Sequence, residues 1–146
     1  TLADADAPLW LAPAPATAPA VGYLKFHCNA PGLDDVGAAA FALADAGGMP
    51  ALDACAQGSD RYPDRSATLL VEVPRLAADG PGAWTLRGPG IETTATLATE
   101  GLPGDFLARW RDNAESYPCG VDLILTCGSR LAALPRTTRI TVQGEG

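Results

Sequence analysis

The clustering and alternation of apolar residues predict a chain built largely of short strands. Residues 67–73 (ATLLVEV) are apolar and β-branched and end before a proline, a combination typical of a buried strand. Residues 121–127 (VDLILTC) are apolar on both faces apart from Asp122 and Thr126, so we predict a central strand covered by other layers. Less regular patterns predict further strands at residues 8–11, 38–44, 83–87, 91–97, 131–134 and 138–142.

Helical spacing is clearest at residues 105–115, where Phe106, Leu107, Trp110 and Ala114 share one face. A second helix is predicted at residues 49–57. Residues 21–28 fit either a helix or a strand, of which we favour the helix. Residues 12–20 are rich in proline and alanine and predict a connector, because proline removes backbone donors.

Two turn signals predict how neighbouring strands pair. The DGPG sequence at residues 79–82 favours an antiparallel pair made of residues 67–73 and 83–87. Gly128, Ser129 and Arg130 predict a three-residue hairpin loop into the following strand. The whole pattern predicts an α/β fold in which one mixed β-sheet carries helices on its faces.

Length and composition fit a single domain. The 146 residues are too few for two separate cores, and we find no internal repeat, so residues 1–146 are predicted to form one domain. Thirteen prolines and sixteen glycines, about a fifth of the chain, favour many turns and argue against a helical bundle. The chain opens on Thr1 in a segment typical of a helix end, so we expect the natural protein to begin earlier.

The charge balance and the cysteines limit the possible partners. A net charge of −7 without a basic run argues against binding to nucleic acid or to an acidic membrane surface. No apolar run is long enough to span a membrane, and no secretory signal is present. The four cysteines lie in apolar stretches without a C-x-x-C pair, which favours reduced structural thiols in the cytoplasm over a disulfide.

Signatures of several catalytic chemistries are missing from the sequence. There is no G-x-x-x-x-G-K-[ST] motif for binding nucleotide phosphates. A Schiff-base mechanism would have to use Lys25, the only lysine. A solvated position on the flank of a helix explains the presence of Lys25 equally well. His27 is the only histidine, and its neighbour Cys28 would point away from it in a helix or a strand. His27 is therefore either a hydrogen-bonded structural residue or a ligand contact. One histidine without an acidic cluster predicts no metal site.

Two polar features near the C-terminus remain open to structural or functional interpretations. Asp122 interrupts an apolar strand, so it pairs with an arginine, binds a ligand or lies near water at the strand end. Arg136 and Thr137 offer a guanidinium and a hydroxyl after Pro135, groups that suit a phosphate or carboxylate but also an ordinary exposed strand start.

Several segments together resemble the PhnH subunit family of the bacterial carbon–phosphorus lyase system for phosphonate utilisation. The resemblance covers nearly the whole chain and is most specific from residue 120 to residue 138. The segments that carry it are residues 1–4 (TLAD), 8–11 (PLWL), 26–31 (FHCNAP), 120–128 (GVDLILTCG) and 133–138 (ALPRTT). The N-terminal segment of the family is absent from this sequence.

The resemblance implies a fold like the large domain of pyridoxal-phosphate-dependent transferases, used without that cofactor. It also implies a cytoplasmic homodimer that joins other carbon–phosphorus lyase core subunits and supports formation of ribose 1-methylphosphonate 5-triphosphate from ATP and a phosphonate. No catalytic residue is carried over. As ligand or subunit contacts we select His27, Asn29, Asp122, Arg136 and Thr137.

An alternative from the residues alone is an autonomous cytosolic protein or small-molecule enzyme. It would bind an anion such as a phosphate through Arg136, Thr137 and Asp122. Binding of phosphonates or nucleotides to the isolated chain would distinguish this alternative from the subunit role.

Overall fold

The computed structural model describes residues 7–12 and 35–142. Within these ranges the chain forms nine strands and one α-helix, joined by turns and four short 3-10 helices. The strands are β1 (Leu9–Leu11), β2 (Phe41–Asp45), β3 (Thr68–Glu72), β4 (Arg75–Ala77), β5 (Trp84–Arg87), β6 (Ala95–Glu100), β7 (Asp122–Cys127), β8 (Arg130–Leu134) and β9 (Arg139–Val142), and the helix is α1 (Phe106–Glu115).

The first sheet contains five strands in the order β1-β2-β3-β7-β8. The pairings from β1 through β7 are parallel, and β8 is antiparallel to β7. Leu69, Val71, Leu123 and Leu125, from β3 and β7, are completely buried. Interior strands of a mostly parallel sheet have apolar residues on both faces because other layers cover them. β7 lies between β3 and β8, so the predicted central position of residues 121–127 is confirmed. Complete burial is seen on one face, whereas the side chains on the other face are half-buried.

The second sheet contains four antiparallel strands in the order β4-β6-β5-β9. Only Val73 and Pro74 separate β3 from β4, so the chain passes directly from the first sheet into the second. Trp84, Leu86 and Leu97 of the second sheet belong to the same buried cluster as the apolar residues of β3 and β7. The two sheets thus share one core.

Helix α1 joins this core through a row of aromatic rings. Trp84 of β5 and Phe106 stack with ring centroids 5.6 Å apart, and Phe106 and Trp110 lie 6.0 Å apart. Offset stacking of aromatic rings adds to the free energy gained from apolar burial. The helix predicted at residues 105–115 is confirmed, with the apolar face turned inward as its spacing indicates.

The predicted helix at residues 49–57 is wrong. That segment contains only a 3-10 turn, Leu52–Ala54. The side-chain amide of Gln57 donates to the carbonyl oxygens of Leu52 and Cys55 at 2.7 and 2.8 Å, and Gln57 forms an isolated bridge with Ser66. Because the side chain takes up the carbonyls that a helix would use, the segment is held as a turn.

The antiparallel pairing predicted for residues 67–73 and 83–87 is also wrong. β3 lies between β2 and β7, whereas β5 lies between β6 and β9. The DGPG turn connects β4, a short strand that the sequence pattern did not indicate, to β5. Both strands are antiparallel to β6, so β4 and β5 run in the same direction and the turn does not produce the predicted antiparallel pair. A local turn sequence cannot identify which strands pair across a longer distance.

The β7–β8 hairpin is confirmed with a shorter loop than predicted. Cys127 pairs with Arg130, so the loop holds only Gly128 and Ser129. Gly128 has a φ of 59°, a left-handed conformation that suits two-residue hairpin loops.

The other predicted strands are present with bounds shifted by a few residues. The single mixed sheet with helices on its faces needs correction: the described residues form two sheets and one α-helix. The connector predicted at residues 12–20 lies, apart from Ala12, outside the described residues, as does the helix predicted at residues 21–28.

Candidate functional site

Arg136 and Asp122 form a bidentate ion pair at one end of the β7–β8 hairpin. Nε of Arg136 donates to Oδ1 of Asp122 at 3.2 Å, and Nη2 donates to Oδ2 at 2.8 Å. The backbone N–H of Arg136 also donates to Oδ1 at 2.8 Å. Because Asp122 begins β7 and Arg136 follows the antiparallel β8, the hairpin itself brings them together. The carboxylate in this apolar strand is thus paired with an arginine.

The remaining donors of Arg136 reach three further acceptors. Nη1 donates to the carbonyl oxygens of Pro63 and Pro118 at 3.1 and 3.0 Å, and Nη2 also donates to Oγ of Ser66. A guanidinium has five N–H donors, and here each has a partner within the protein. The Arg136 side chain is 14% exposed and Asp122 36%, so the pair is more shielded than an ordinary surface ion pair. Arg136 therefore ties the hairpin to the segment before β3 and to the loop before β7.

This geometry limits what Arg136 can bind. An anion arriving at the guanidinium would have to displace the Asp122 carboxylate or leave a carbonyl oxygen without its donor. Arg136 therefore acts as a structural connection whose positive charge is balanced by the Asp122 carboxylate.

Asn113 of α1 fixes the start of β7 from the other side. Its amide nitrogen donates to the Val121 carbonyl at 3.0 Å, and its amide oxygen accepts from the Val121 N–H at 2.8 Å. Asn113 is 5% exposed. The side chain thus satisfies both backbone groups of Val121, which the adjacent strand leaves free. At Gly120 an added Cβ would lie 3.0 Å from the Asn113 oxygens, so glycine permits this close approach.

A groove of about 650 Å³ runs between α1 and β9. On the strand side it is lined by the segment from Thr137 to Val142, and on the helix side by Leu107, Trp110, Arg111 and neighbouring residues. Nε1 of the buried Trp110 donates to the Thr138 carbonyl at 2.8 Å, which fixes the distance between the helix and the strand. A buried hydrogen bond therefore joins the two sides of the groove.

Three described cysteines are free thiols: Cys55, Cys119 and Cys127. Burial raises the pKa of Cys55 to about 11, with the nearby Asp53 carboxylate adding to the effect. Loss of solvation also raises the pKa of Cys119, whose Sγ lies 3.6 Å from Oδ1 of Asp60. A thiol with a raised pKa is a poor nucleophile at neutral pH, so Cys55 and Cys119 fit structural roles.

Sequence comparisons identify the family. Residues 1–141 match the family model PhnH, described as a bacterial phosphonate metabolism protein. The chain is 40% identical, over 96% of its length and 70% of the relative's, to the alpha-D-ribose 1-methylphosphonate 5-triphosphate synthase subunit PhnH of Rhizobium meliloti strain 1021. The chain belongs to the PhnH family.

A second relative of this PhnH-family chain is the putative C-P lyase subunit protein HtxG of Stutzerimonas stutzeri. The two are 42% identical over 75% of this chain and 54% of the relative. The resemblance read from the sequence is thereby confirmed at the level of the family.

Of the five contact residues suggested with the PhnH resemblance, the structure describes three. Asp122 and Arg136 meet directly, and Thr137, the next residue in the chain, lines the groove. His27 and Asn29 lie outside the described residues. That these five residues contact a ligand or subunit stays a prediction. Sequence reasoning missed Arg111 and Arg139 of the groove, because no motif marks arginines on separate elements.

Proposed function

We propose that this PhnH-family protein is a subunit of a carbon–phosphorus lyase complex. In that role it supports formation of ribose 1-methylphosphonate 5-triphosphate from ATP and a phosphonate. The observation that carries the proposal is the family match over residues 1–141 together with 40% identity to a subunit of that synthase. The relation to a putative C-P lyase subunit points the same way.

The geometry favours a role through assembly over independent catalysis. The described residues bring no group of three His, Cys, Asp or Glu side chains together as a metal site. The cluster around Arg136 and Asp122 uses the donors of its guanidinium within the protein. We therefore assign no catalytic residue to this chain and expect the chemistry to require the partner subunits.

A homodimer is the second part of the proposal. In the described part of the chain, β8 pairs with β7 alone and forms an edge of the five-stranded sheet. Its Leu131 is 65% exposed, one of the most exposed large apolar side chains there. Edge strands with exposed apolar residues are natural pairing sites because their backbone groups lack partners. This edge is where we place the contact between two copies.

The finer fold and cellular location are also proposals. A single domain over residues 1–146 would resemble the large domain of pyridoxal-phosphate-dependent transferases, without the cofactor. The parallel pairings of β1, β2, β3 and β7 are compatible with such an α/β domain. The only lysine available for a Schiff base is Lys25.

A cytoplasmic location fits the free described cysteines. No helix among the described residues has the length and apolarity that a membrane crossing requires.

Co-purification tests the subunit role. The full protein, tagged and expressed with the sister subunits of its own organism, should elute with them in one complex. Omitting this chain should lower synthesis of ribose 1-methylphosphonate 5-triphosphate by the remaining subunits. A chain that elutes alone beside its intact sister subunits would overturn the proposal.

The alternative of an autonomous anion-binding protein acting through Arg136, Thr137 and Asp122 is less favoured by the geometry. Binding there would have to break the bidentate contact between the arginine and the aspartate. Arg136→Gln would separate the two cases, because only a binding role makes phosphonate affinity depend on this side chain in a folded protein.

A further inference from the structure

Three arginines lack a partner among the described residues. All nine arginines of the chain lie in the described ranges, and six of them meet a carboxylate, a carbonyl or an aromatic ring. No hydrogen bond, ion pair or ring contact is formed there by the side chains of Arg87, Arg111 and Arg139.

These three arginines lie close together. Arg87 and Arg139 are directly opposite each other on the paired strands β5 and β9. Arg139 and Arg111 line the same groove between β9 and α1. Like charges directly opposite in a sheet are destabilising. In a chain of net charge −7 this local positive group therefore attracts an anion, and an anion bound there would reduce the repulsion between the arginines.

The groove beside these arginines has the character of a small-molecule site. Its volume of about 650 Å³ lies within the range typical of ligand pockets. Leu107 and Ile140 supply apolar surface, and Thr137 and Tyr117 bring hydroxyl groups to the lining. Glu115 is the one carboxylate among the lining residues, and its charge opposes an anion. Removing the charge of Glu115 should therefore strengthen the binding of an anion, whereas removing an arginine should weaken it.

We propose that this groove binds an organic phosphate or phosphonate. Arg111 and Arg139 contact the charged group, since guanidinium groups match the geometry of phosphate oxygens. The uncharged part of the molecule lies against Leu107 and Ile140. The site is separate from the Asp122–Arg136 pair. The choice of phosphate and phosphonate ligands rests on the proposed function, but binding is measured on the chain alone, so a chain that fails to join the complex can still bind this ligand.

Isothermal titration of the full chain at about 0.15 M salt tests the proposal, because this ionic strength screens non-specific attraction. ATP, ribose 5-phosphate, methylphosphonate and inorganic phosphate serve as the four probes. We expect ATP or ribose 5-phosphate to bind more tightly than inorganic phosphate, since only they reach the apolar surface. Arg111→Gln and Arg139→Gln should each weaken that binding by about tenfold or more, whereas Glu115→Gln should strengthen it.

Arg61→Gln is the matched control, because it removes the same charge from an exposed arginine outside the groove. Circular dichroism melting establishes that each variant is folded. Three results would overturn the proposal: no heat and no melting shift with any probe at millimolar concentration, equal weakening by Arg61→Gln, or inorganic phosphate binding as tightly as the organic probes. The last result would mean a general attraction to charge without use of the groove.

Discussion

Arg136 binds Asp122 through both its side chain and its backbone. The guanidinium donates to the two carboxylate oxygens at 3.2 and 2.8 Å, and the backbone N–H donates to one of them at 2.8 Å. The same guanidinium reaches Pro63 and Pro118. One carboxylate thus orients a guanidinium that connects segments more than seventy residues apart in sequence. Removing either partner leaves partly buried donors or acceptors without a substitute.

The first prediction follows from this contact. Asp122→Ala should lower the free energy of unfolding by about 1–3 kcal/mol, because Arg136 loses its balancing charge and three hydrogen bonds in a partly buried position. Urea unfolding followed by circular dichroism measures the change.

Glu92→Ala is the control for that experiment, since Glu92 is an exposed carboxylate and its loss changes the net charge equally. Its effect should stay within about 0.5 kcal/mol. If Asp122→Ala were as mild as the control, the pair would contribute nothing to stability and the structural role argued for Arg136 would be wrong.

The second prediction concerns the contact between α1 and β7. Asn113→Ala should destabilise the protein by about 2–4 kcal/mol, because it leaves both the N–H and the carbonyl of Val121 buried without partners. Thermal unfolding of the variant measures this loss.

Asn113→Asp separates the two hydrogen bonds. A carboxylate still accepts from the Val121 N–H but repels the Val121 carbonyl, so the variant should also lose stability at neutral pH. An aspartate variant as stable as the natural protein would mean that only the accepting contact matters.

The most deeply buried strands could be predicted from sequence because their pattern has a direct physical cause. β3 and β7 lie inside the first sheet with one face completely buried in the core, and the apolar residues that this requires are visible in the sequence itself. Their partners could not be predicted in the same way. β3 pairs with β7 across a connection that contains three strands of another sheet, and no local residue signals that choice.

The candidate site was predictable only in part for a similar reason. An aspartate within an apolar strand signals that a partner exists, and Arg136 was singled out nearby. Two of the other acceptors of Arg136, on Pro63 and Ser66, lie about seventy residues away and carry no motif. Arg111 and Arg139 share a groove only because α1 packs beside an edge strand.

The third prediction tests the proposed contact between two copies at β8. Leu131→Asp should shift the protein from a dimer to the 14.9 kDa monomer, because a carboxylate would lose its hydration at an apolar edge-to-edge contact. Light scattering during size-exclusion chromatography measures the mass.

The melting temperature of the isolated monomer should change little, since Leu131 is mostly exposed within one chain. A matched change on another exposed surface, Tyr62→Asp, should leave the dimer intact. A natural protein that is monomeric at every concentration, or a Leu131→Asp variant that remains dimeric, would contradict this placement of the interface.

The fourth prediction concerns pH. Burial, with the nearby Asp53 charge, raises the pKa of Cys55 from 9.0 to about 11. Below pH 9 the thiol is neutral in both the folded and the unfolded chain, so its contribution to stability is fully present. As the pH rises from 9 to 11, the unfolded chain ionises first, and this contribution of about 2–3 kcal/mol is lost. Urea unfolding between pH 8 and pH 11 measures the decline.

Cys55→Ala isolates the contribution of this thiol. The variant should be less stable at pH 8 because a buried side chain is shortened, but its stability should fall less steeply above pH 9. Every other ionisable side chain is present in both proteins, so the difference between the two slopes is assigned to Cys55. Parallel slopes would show that the thiol is not shielded when the protein is folded, and the burial argued for it would then be wrong.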